Sequence, residues 1–301
     1  MTLRTLTLTV TRARSRRRAA DFVFLTKPRV VLMVLVTTLV GFHVGSVGVS
    51  DPWRLLHVLI GTGFAAAGTL ALNQFLERDA DGKMERTRRR PLADRRLRPA
   101  EALYFGLALT AGGPTYLGLT TNWLSAAVVA LTAASYLLAY TPLKRHSSLC
   151  TLLGAIPGAL PPVAGWVAAR GEFGVGAWVL FGILYLWQLP HTLAIAWVYR
   201  RDYARADLRM LPVVDPGGAS TGRQVIINCL ALLAVGLLPS LVGMTGPLYF
   251  TGALLLGAAM LACGLGLAAT RSVGDARRLV YASIVYLPAL FILMAVDKVP
   301  F

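Results

Sequence analysis

Nine stretches of the chain are apolar for long enough to cross a bilayer, which takes about 20 residues per helix. They run at about 24–43, 55–76, 99–118, 122–140, 149–168, 175–199, 222–243, 247–269 and 278–296. Gly and Pro interrupt several of them, as in GAIPGALPP at 154–162, and membrane helices tolerate both residues better than soluble helices do. No internal repeat, low-complexity linker or soluble domain breaks the series. The pattern predicts an all-α, polytopic membrane protein. Its nine transmembrane helices form one bundle over residues 22–301, behind a flexible basic cytoplasmic tail at 1–21.

The polar positions orient this bundle. All but three of the 30 Lys and Arg residues fall in alternate connections: the tail through Arg29, then 78–98, 144–145, 200–209, Arg223 and 271–278. The exceptions are Arg54, Arg170 and Lys298. Positive charge marks the cytoplasmic side, so the N-terminus is expected inside and the C-terminus outside. Eight or ten crossings would break the alternation. Trp53, Trp123, Trp166 and Trp178 fall where the outer aromatic belt belongs.

Composition supports this reading. The chain is 56% hydrophobic and 15% charged, against about a quarter charged in soluble domains. That excludes a soluble enzyme and a disordered chain. The net charge of +16 reads as topology plus attraction to anionic lipid headgroups, not as nucleic-acid binding. The three cysteines lie far apart, imply neither disulfides nor a metal cluster, and read as core residues. The first 20 residues hold no long apolar run, so they are no cleavable secretory signal. A short tail and compact loops favour a bacterial plasma membrane over the mitochondrial inner membrane.

Only 14 residues are acidic, and five of them lie between 77 and 94, within or just after NQFLERDADGKMERTRRRPL at 73–92. Asn73, Glu77 and Asp81 are spaced by four. Each step of four turns a helix by about 40°, so the three share a stripe at the cytoplasmic end of span two, with Asp79 off it. Such oxygen donors suit Mg2+. Lys83, Arg86, Arg88, Arg89 and Arg90 follow, and guanidinium groups bind phosphate well. The alternative is a positive-inside anchor whose acids are salt-bridge partners. A second acidic-basic segment follows span six, with Asp202 between Arg200, Arg201 and Arg205. The two segments could face each other and hold two metal ions around one diphosphate. His191 lies inside span six, either as a satisfied core residue or in contact with a porphyrin. Lys144, after Tyr140-Thr-Pro, could reach a phosphate or serve as an anchor.

These residues resemble the UbiA superfamily of intramembrane prenyltransferases. KPRVVLMVLVT (27–37), the 73–92 segment, YTPLKR (140–145), GAIPGALPPVAGW (154–166), WQLPH (187–191) and DYARADLRMLPVV (202–214) occur in the expected order. KMERTRRRP, GALPPVAGW, WQLPH and DYARA…MLPVV together are similar to its haem-modifying branch. The resemblance implies a bundle around a central cavity and transfer of a farnesyl group from farnesyl diphosphate to a vinyl group of haem b, the acceptor being a substrate and not a cofactor. It implies Asn73, Glu77 and Asp81 as the first metal-diphosphate motif and Asp202 as the anchor of the second. Arg86, Arg90 and Lys144 would surround the diphosphate, with Lys83 and Arg201 nearby. Tyr136, Tyr140 or Trp187 would face an allylic cation. Four positions after Asp202 stands Ala206, where many members carry a second Asp. The pathway implies a downstream haem-A-forming enzyme or oxidase assembly proteins as partners. The alternatives are a family member acting on an aromatic acid or quinone precursor and, more distantly, a multi-span transporter.

Overall fold

The computed structural model describes residues 18–48 and 51–299. Residues 1–17, most of the expected basic tail, lie outside the described residues. Among the described residues nine helices exceed 17 residues. They are α1 (Pro28–Gly45), α2 (Pro52–Lys83), α3 (Pro99–Thr120), α4 (Trp123–Leu143), α5 (Cys150–Arg170), α6 (Val175–Val198), α7 (Ala219–Leu241), α8 (Pro247–Thr270) and α9 (Val273–Val296). No strand forms among the described residues; Thr245 and Lys298 make one isolated bridge. Eight of the nine are long and apolar enough to cross a membrane. The other, α3, has 22 residues, but its Gly, Thr, Tyr and Pro residues dilute its hydrophobicity. The all-helical membrane bundle expected from the apolar pattern is thus present.

Two corrections concern span ends. The first apolar run does not begin a helix at 24, because Pro28 starts a new one and Lys27 before it takes a left-handed backbone at φ 49°. The second helix continues to Lys83, past the expected end at 76, and carries the acidic stripe with it. Length there comes from polar residues that a hydrophobicity pattern does not count.

Neighbour contacts arrange the helices as two adjoining rings. Helices α1 to α5 pack in sequence, and α5 closes back on α1. Helices α6 to α9 do the same, and α9 closes on α6. The rings join along α5 and α6, with α9 also touching α1.

Close approach depends on glycine. A Cβ on Gly41 would overlap the backbone of Pro162, and one on Gly165 would overlap the Thr38 carbonyl, so α1 and α5 touch backbone to backbone. Helices α2 and α3 repeat the device, since a Cβ on Gly113 would sit 2.7 Å from the Ala65 nitrogen. Lipid supplies no hydrophobic drive between helices, so small residues and close van der Waals contact hold such bundles together.

The ends are capped in opposite senses. Asp51 accepts from the Trp53 and Arg54 amides at the start of α2, and Asn122 accepts from the Ser125 amide in α4. Two of the three exceptional cations cap the C-terminal end of α1. Arg170 Nε donates to the Gly45 carbonyl at 2.9 Å, and Lys298 Nζ donates to those of His43 and Ser46. Cations there complement the helix dipole.

Trp166 corrects a further expectation. It is 1% exposed and packs against Gly45, Gly174 and Gly176 in the core, whereas Trp53, Trp123 and Trp178 are exposed as expected. Before α1, residues 18–25 form a short helix. It is tied down by Asp21–Arg96 and Arg18–Glu101 ion pairs, by Phe22 against Phe105, and by Gln74 donating to the Leu25 carbonyl at 2.7 Å.

Replacing Gly41 by Leu is expected to lower thermal stability in detergent, because the Pro162 backbone cannot yield; overpacking alone costs about 1–3 kcal/mol. Gly112→Leu, at a position with open space, is expected to leave the melting temperature unchanged. Equal melting of both variants would contradict the close α1–α5 contact.

Candidate active site

A cavity of about 250 Å³ opens inside the first ring, where α1, α2, α4 and α5 meet α6. On α5 its lining runs from Thr151 to Pro161, or roughly 15 Å at 1.5 Å per residue. Most of its wall is Val, Ala, Gly, Pro and Thr. Tyr136 and Tyr140 line its charged end. They lie in a π-helical turn over Ser135–Tyr140, and their rings are 5.1 Å apart. The turn is held by Thr141, whose amide and hydroxyl both donate to the Tyr136 carbonyl. Such turns are rare and concentrate at functional sites. Gly154 makes room for the Tyr140 ring, which a Cβ there would strike.

The acidic stripe stands at the mouth. Asn73 and Asp81 are each 1% exposed. Asn73 Nδ2 donates to Thr141 Oγ1 at 3.3 Å, and its Oδ1 accepts from Lys27 Nζ at 3.2 Å. Glu77 pairs with Lys144 at 2.7 Å, both largely buried, and the Lys144 ammonium sits 4.3 Å above the Tyr140 ring. Asp81 receives Arg90 Nη1 on both oxygens, at 2.8 and 2.7 Å. Asp79, off the stripe as expected, is exposed. Burial, then the neighbouring Arg90, pushes the Lys27 ammonium down to about 7.

The segment after α6 folds over this mouth. A short helix, Arg200–Arg205, carries Asp202, which pairs with Arg205 at 3.2 Å. Lys83 reaches Asp207 at 2.8 Å, and this hydrogen bond holds the Asp207 carboxyl below its ordinary range. Arg86 stacks over Tyr199 at 5.0 Å and donates to the Tyr203 hydroxyl at 3.4 Å. The Arg209 amide donates to the Lys144 carbonyl at 2.8 Å. The two charged segments therefore meet, and the turn after α4 joins them.

Two expected residues stand elsewhere. Arg201 is exposed and makes no ion pair among the described residues. His191 faces α9: its Nδ1 lies 2.6 Å from Ser283 Oγ, and its ring stacks on Trp187 at 5.0 Å. Trp187 in turn donates to the Ser283 carbonyl at 2.8 Å. Neither ring lines the cavity, because a helix that presents Gln188 and Thr192 inward turns 187 and 191 aside. Lys27 and Thr141 were not singled out by composition or spacing. Lys27 lies within the first apolar run, directly before α1 and two residues from Arg29, and reads as an anchor, and a threonine carries no charge signal.

Among the described residues no three His, Cys, Asp or Glu side chains converge. Each carboxylate of the mouth faces a Lys or Arg instead. The donor set still fits a hard cation: an amide oxygen and two carboxylates on one helical face, with Asp202 on the covering segment. The surrounding ammonium and guanidinium groups suit a multiply charged phosphate.

Comparison with known proteins agrees with this arrangement. The UbiA prenyltransferase family profile matches residues 34–293. A protoheme IX farnesyltransferase of Solibacter usitatus is 48% identical over 92% of this chain and 98% of its own length. That of Salinibacter ruber is 42% identical over the same shares. Among solved structures, a digeranylgeranylglyceryl phosphate synthase superposes with a TM-score of 0.79 at 14% identity, over 93% of this chain and 98% of its own. A UbiA homologue of Archaeoglobus fulgidus bound to DMAPP and Mg2+ gives 0.65 at 15% identity, over 92% and 99%. The apolar cavity, its charged mouth and these relatives lead to one assignment: the chain belongs to the UbiA prenyltransferase family.

Proposed function

We propose that the protein transfers the farnesyl group of farnesyl diphosphate to a vinyl group of haem b, giving haem O and diphosphate. The observation that carries this reading is the joining of a buried charged mouth to an apolar cavity, in a chain 48% identical to a protoheme IX farnesyltransferase. Such a site suits a substrate with a charged head and a hydrocarbon tail. Lys27, Arg90 and Lys144 would hold the diphosphate, with Lys83 and Arg86 closing over it from the rim. A divalent metal such as Mg2+, held by Asn73, Glu77, Asp81 and Asp202, would neutralise charge on the leaving diphosphate.

The chain's own residues would then favour C–O cleavage. Fixed cations meet the negative charge as it develops, in a place where little water screens them. The rings of Tyr136 and Tyr140 would face the allylic cation, which an aromatic face attracts. The apolar wall keeps stray water from quenching it. Acceptor and tail are both lipophilic, which accounts for a site within the membrane. An aromatic acid acceptor would use the same mouth and is the second reading.

The protein is an integral membrane protein. We place it in a bacterial plasma membrane on its compact connections, with nine crossings, because 27 of its 30 Lys and Arg residues fall in alternate connections of the sequence and positive charge marks the cytoplasmic side. A reporter fused after Phe301 is then expected outside the cell and one at the N-terminus inside; both reporters on one side would contradict nine crossings.

In nanodiscs supplied with haem b, farnesyl diphosphate and Mg2+, the expected product is a heavier, farnesylated haem. Chelator is expected to abolish it, and Glu77→Ala to lower its rate at least ~100-fold, as loss of transition-state charge stabilisation does. Folded protein giving no modified haem would overturn the assignment.

A further inference from the structure

The cavity is lined from two sides. From α1, α2 and α4 come Val and Ala side chains such as Val30, Val34 and Ala65, together with the hydroxyls of Thr62, Thr69, Thr132, Tyr136 and Tyr140. From α5 and α6 come Thr151, Gly154, Gly158, Gln188 and Thr192. Gln188 is the one side-chain amide among the lining residues. Its Nε2 donates to the Leu184 carbonyl at 2.9 Å and to the Ala155 carbonyl at 3.4 Å. Two carbonyl acceptors fix the amide, since only its NH2 end can face them. Oε1 is therefore turned the other way, toward Gly158, where any Cβ would overlap it. Among the described residues Oε1 accepts no hydrogen bond.

The same wall offers further acceptors. Pro161 and Pro162 have no N–H, so the carbonyls of Pro157 and Gly158 lack their helical donors. Pro157, Gly158 and Pro161 all line the cavity. A free amide oxygen in a membrane interior is costly and marks function, and the two under-bonded carbonyls belong to residues that line the same cavity. Water suits it, being a small donor that settles where two to four polar partners converge.

We propose that Gln188 positions the water that ends the reaction, and so decides that the product carries a hydroxyl. This rests on the farnesyl-transfer reading. When the C1–O bond of farnesyl diphosphate breaks, its electron pair leaves with diphosphate. The vinyl π pair then forms a C–C bond from the terminal vinyl carbon to C1. The positive charge passes to the vinyl carbon attached to the porphyrin. Water gives a lone pair to that carbon, forming the C–O bond, and its proton passes to the departed diphosphate. If no water is held in place, the same cation loses a proton from the adjacent carbon, and the product is an olefin lighter by one water. Gln188 gains no proton and bears no charge. It accepts a hydrogen bond from the water and aims the water's lone pair, which makes it a positioning residue.

The test uses the full-length protein in nanodiscs with haem b, farnesyl diphosphate and Mg2+ in 18O-labelled water, with products resolved by mass. Wild type is expected to yield farnesylated haem carrying one 18O. Gln188→Leu is expected to raise the olefin-to-alcohol ratio about tenfold, the worth of one lost hydrogen bond, while farnesyl diphosphate is still consumed. Gly158→Ala, which displaces Oε1 without removing it, is expected to shift the ratio the same way and covers the case in which Gln188→Leu fails to fold. Gln188→Glu keeps an acceptor oxygen and is expected to keep the alcohol dominant. An unchanged ratio in Gln188→Leu, or in Gly158→Ala if only that variant folds, overturns the proposal while leaving farnesyl transfer standing. Unlabelled alcohol from wild type does the same. No farnesylated haem from wild type overturns both.

Discussion

A multiply charged leaving group must be held at the edge of a cavity built for hydrocarbon, and the rest of the structure follows from that constraint. The Glu77–Lys144 pair, at 2.7 Å with both side chains largely buried, is its clearest expression. Buried charges are tolerated only when paired. Here the pairing also fixes the Lys144 ammonium over the Tyr140 ring and sets an acid, a base and an aromatic face at one place. Asp81 with Arg90 and Asn73 with Lys27 extend the arrangement along a single face of α2.

The fold serves this mouth by keeping backbones close and charge at one end. Glycines at the α1–α5 and α2–α3 crossings bring the helices together, and α1, α2 and α5 all line the cavity. Carbonyls at the other end of α1 are satisfied by Arg170 and Lys298, which is why cations occur there at all. The short helix Arg200–Arg205 and the segment beyond it then close over α2 through Lys83–Asp207 and Arg86–Tyr203 contacts. Two segments more than a hundred residues apart thereby become one rim.

Much of this was legible in the sequence because the signals are periodic or strongly charged. Apolar runs located the helices, and a spacing of four placed Asn73, Glu77 and Asp81 on one stripe. What stayed hidden depends on contacts between distant residues. Lys27 reaches Asn73 across 46 positions, and nothing local distinguishes it from an anchoring lysine. Trp166 has the position of an interfacial residue, yet Gly45, Gly174 and Gly176 open a core slot for it. The sequence leaves His191 either as a satisfied core residue or in contact with a porphyrin, and its hydrogen-bond partner Ser283 lies 92 positions away on α9. The π-helical turn that aims Tyr136 and Tyr140 has no spacing signature. It needs Thr141 to hold it.

The acceptor is the central claim, because the mouth alone would serve any allylic diphosphate. The most direct measurement is a competition in which wild-type protein in nanodiscs receives farnesyl diphosphate, Mg2+ and equal amounts of haem b and 4-hydroxybenzoate, with both acceptors followed by mass. The account predicts that the farnesyl group is recovered on haem. Recovery on the aromatic acid, with haem unchanged, would contradict it.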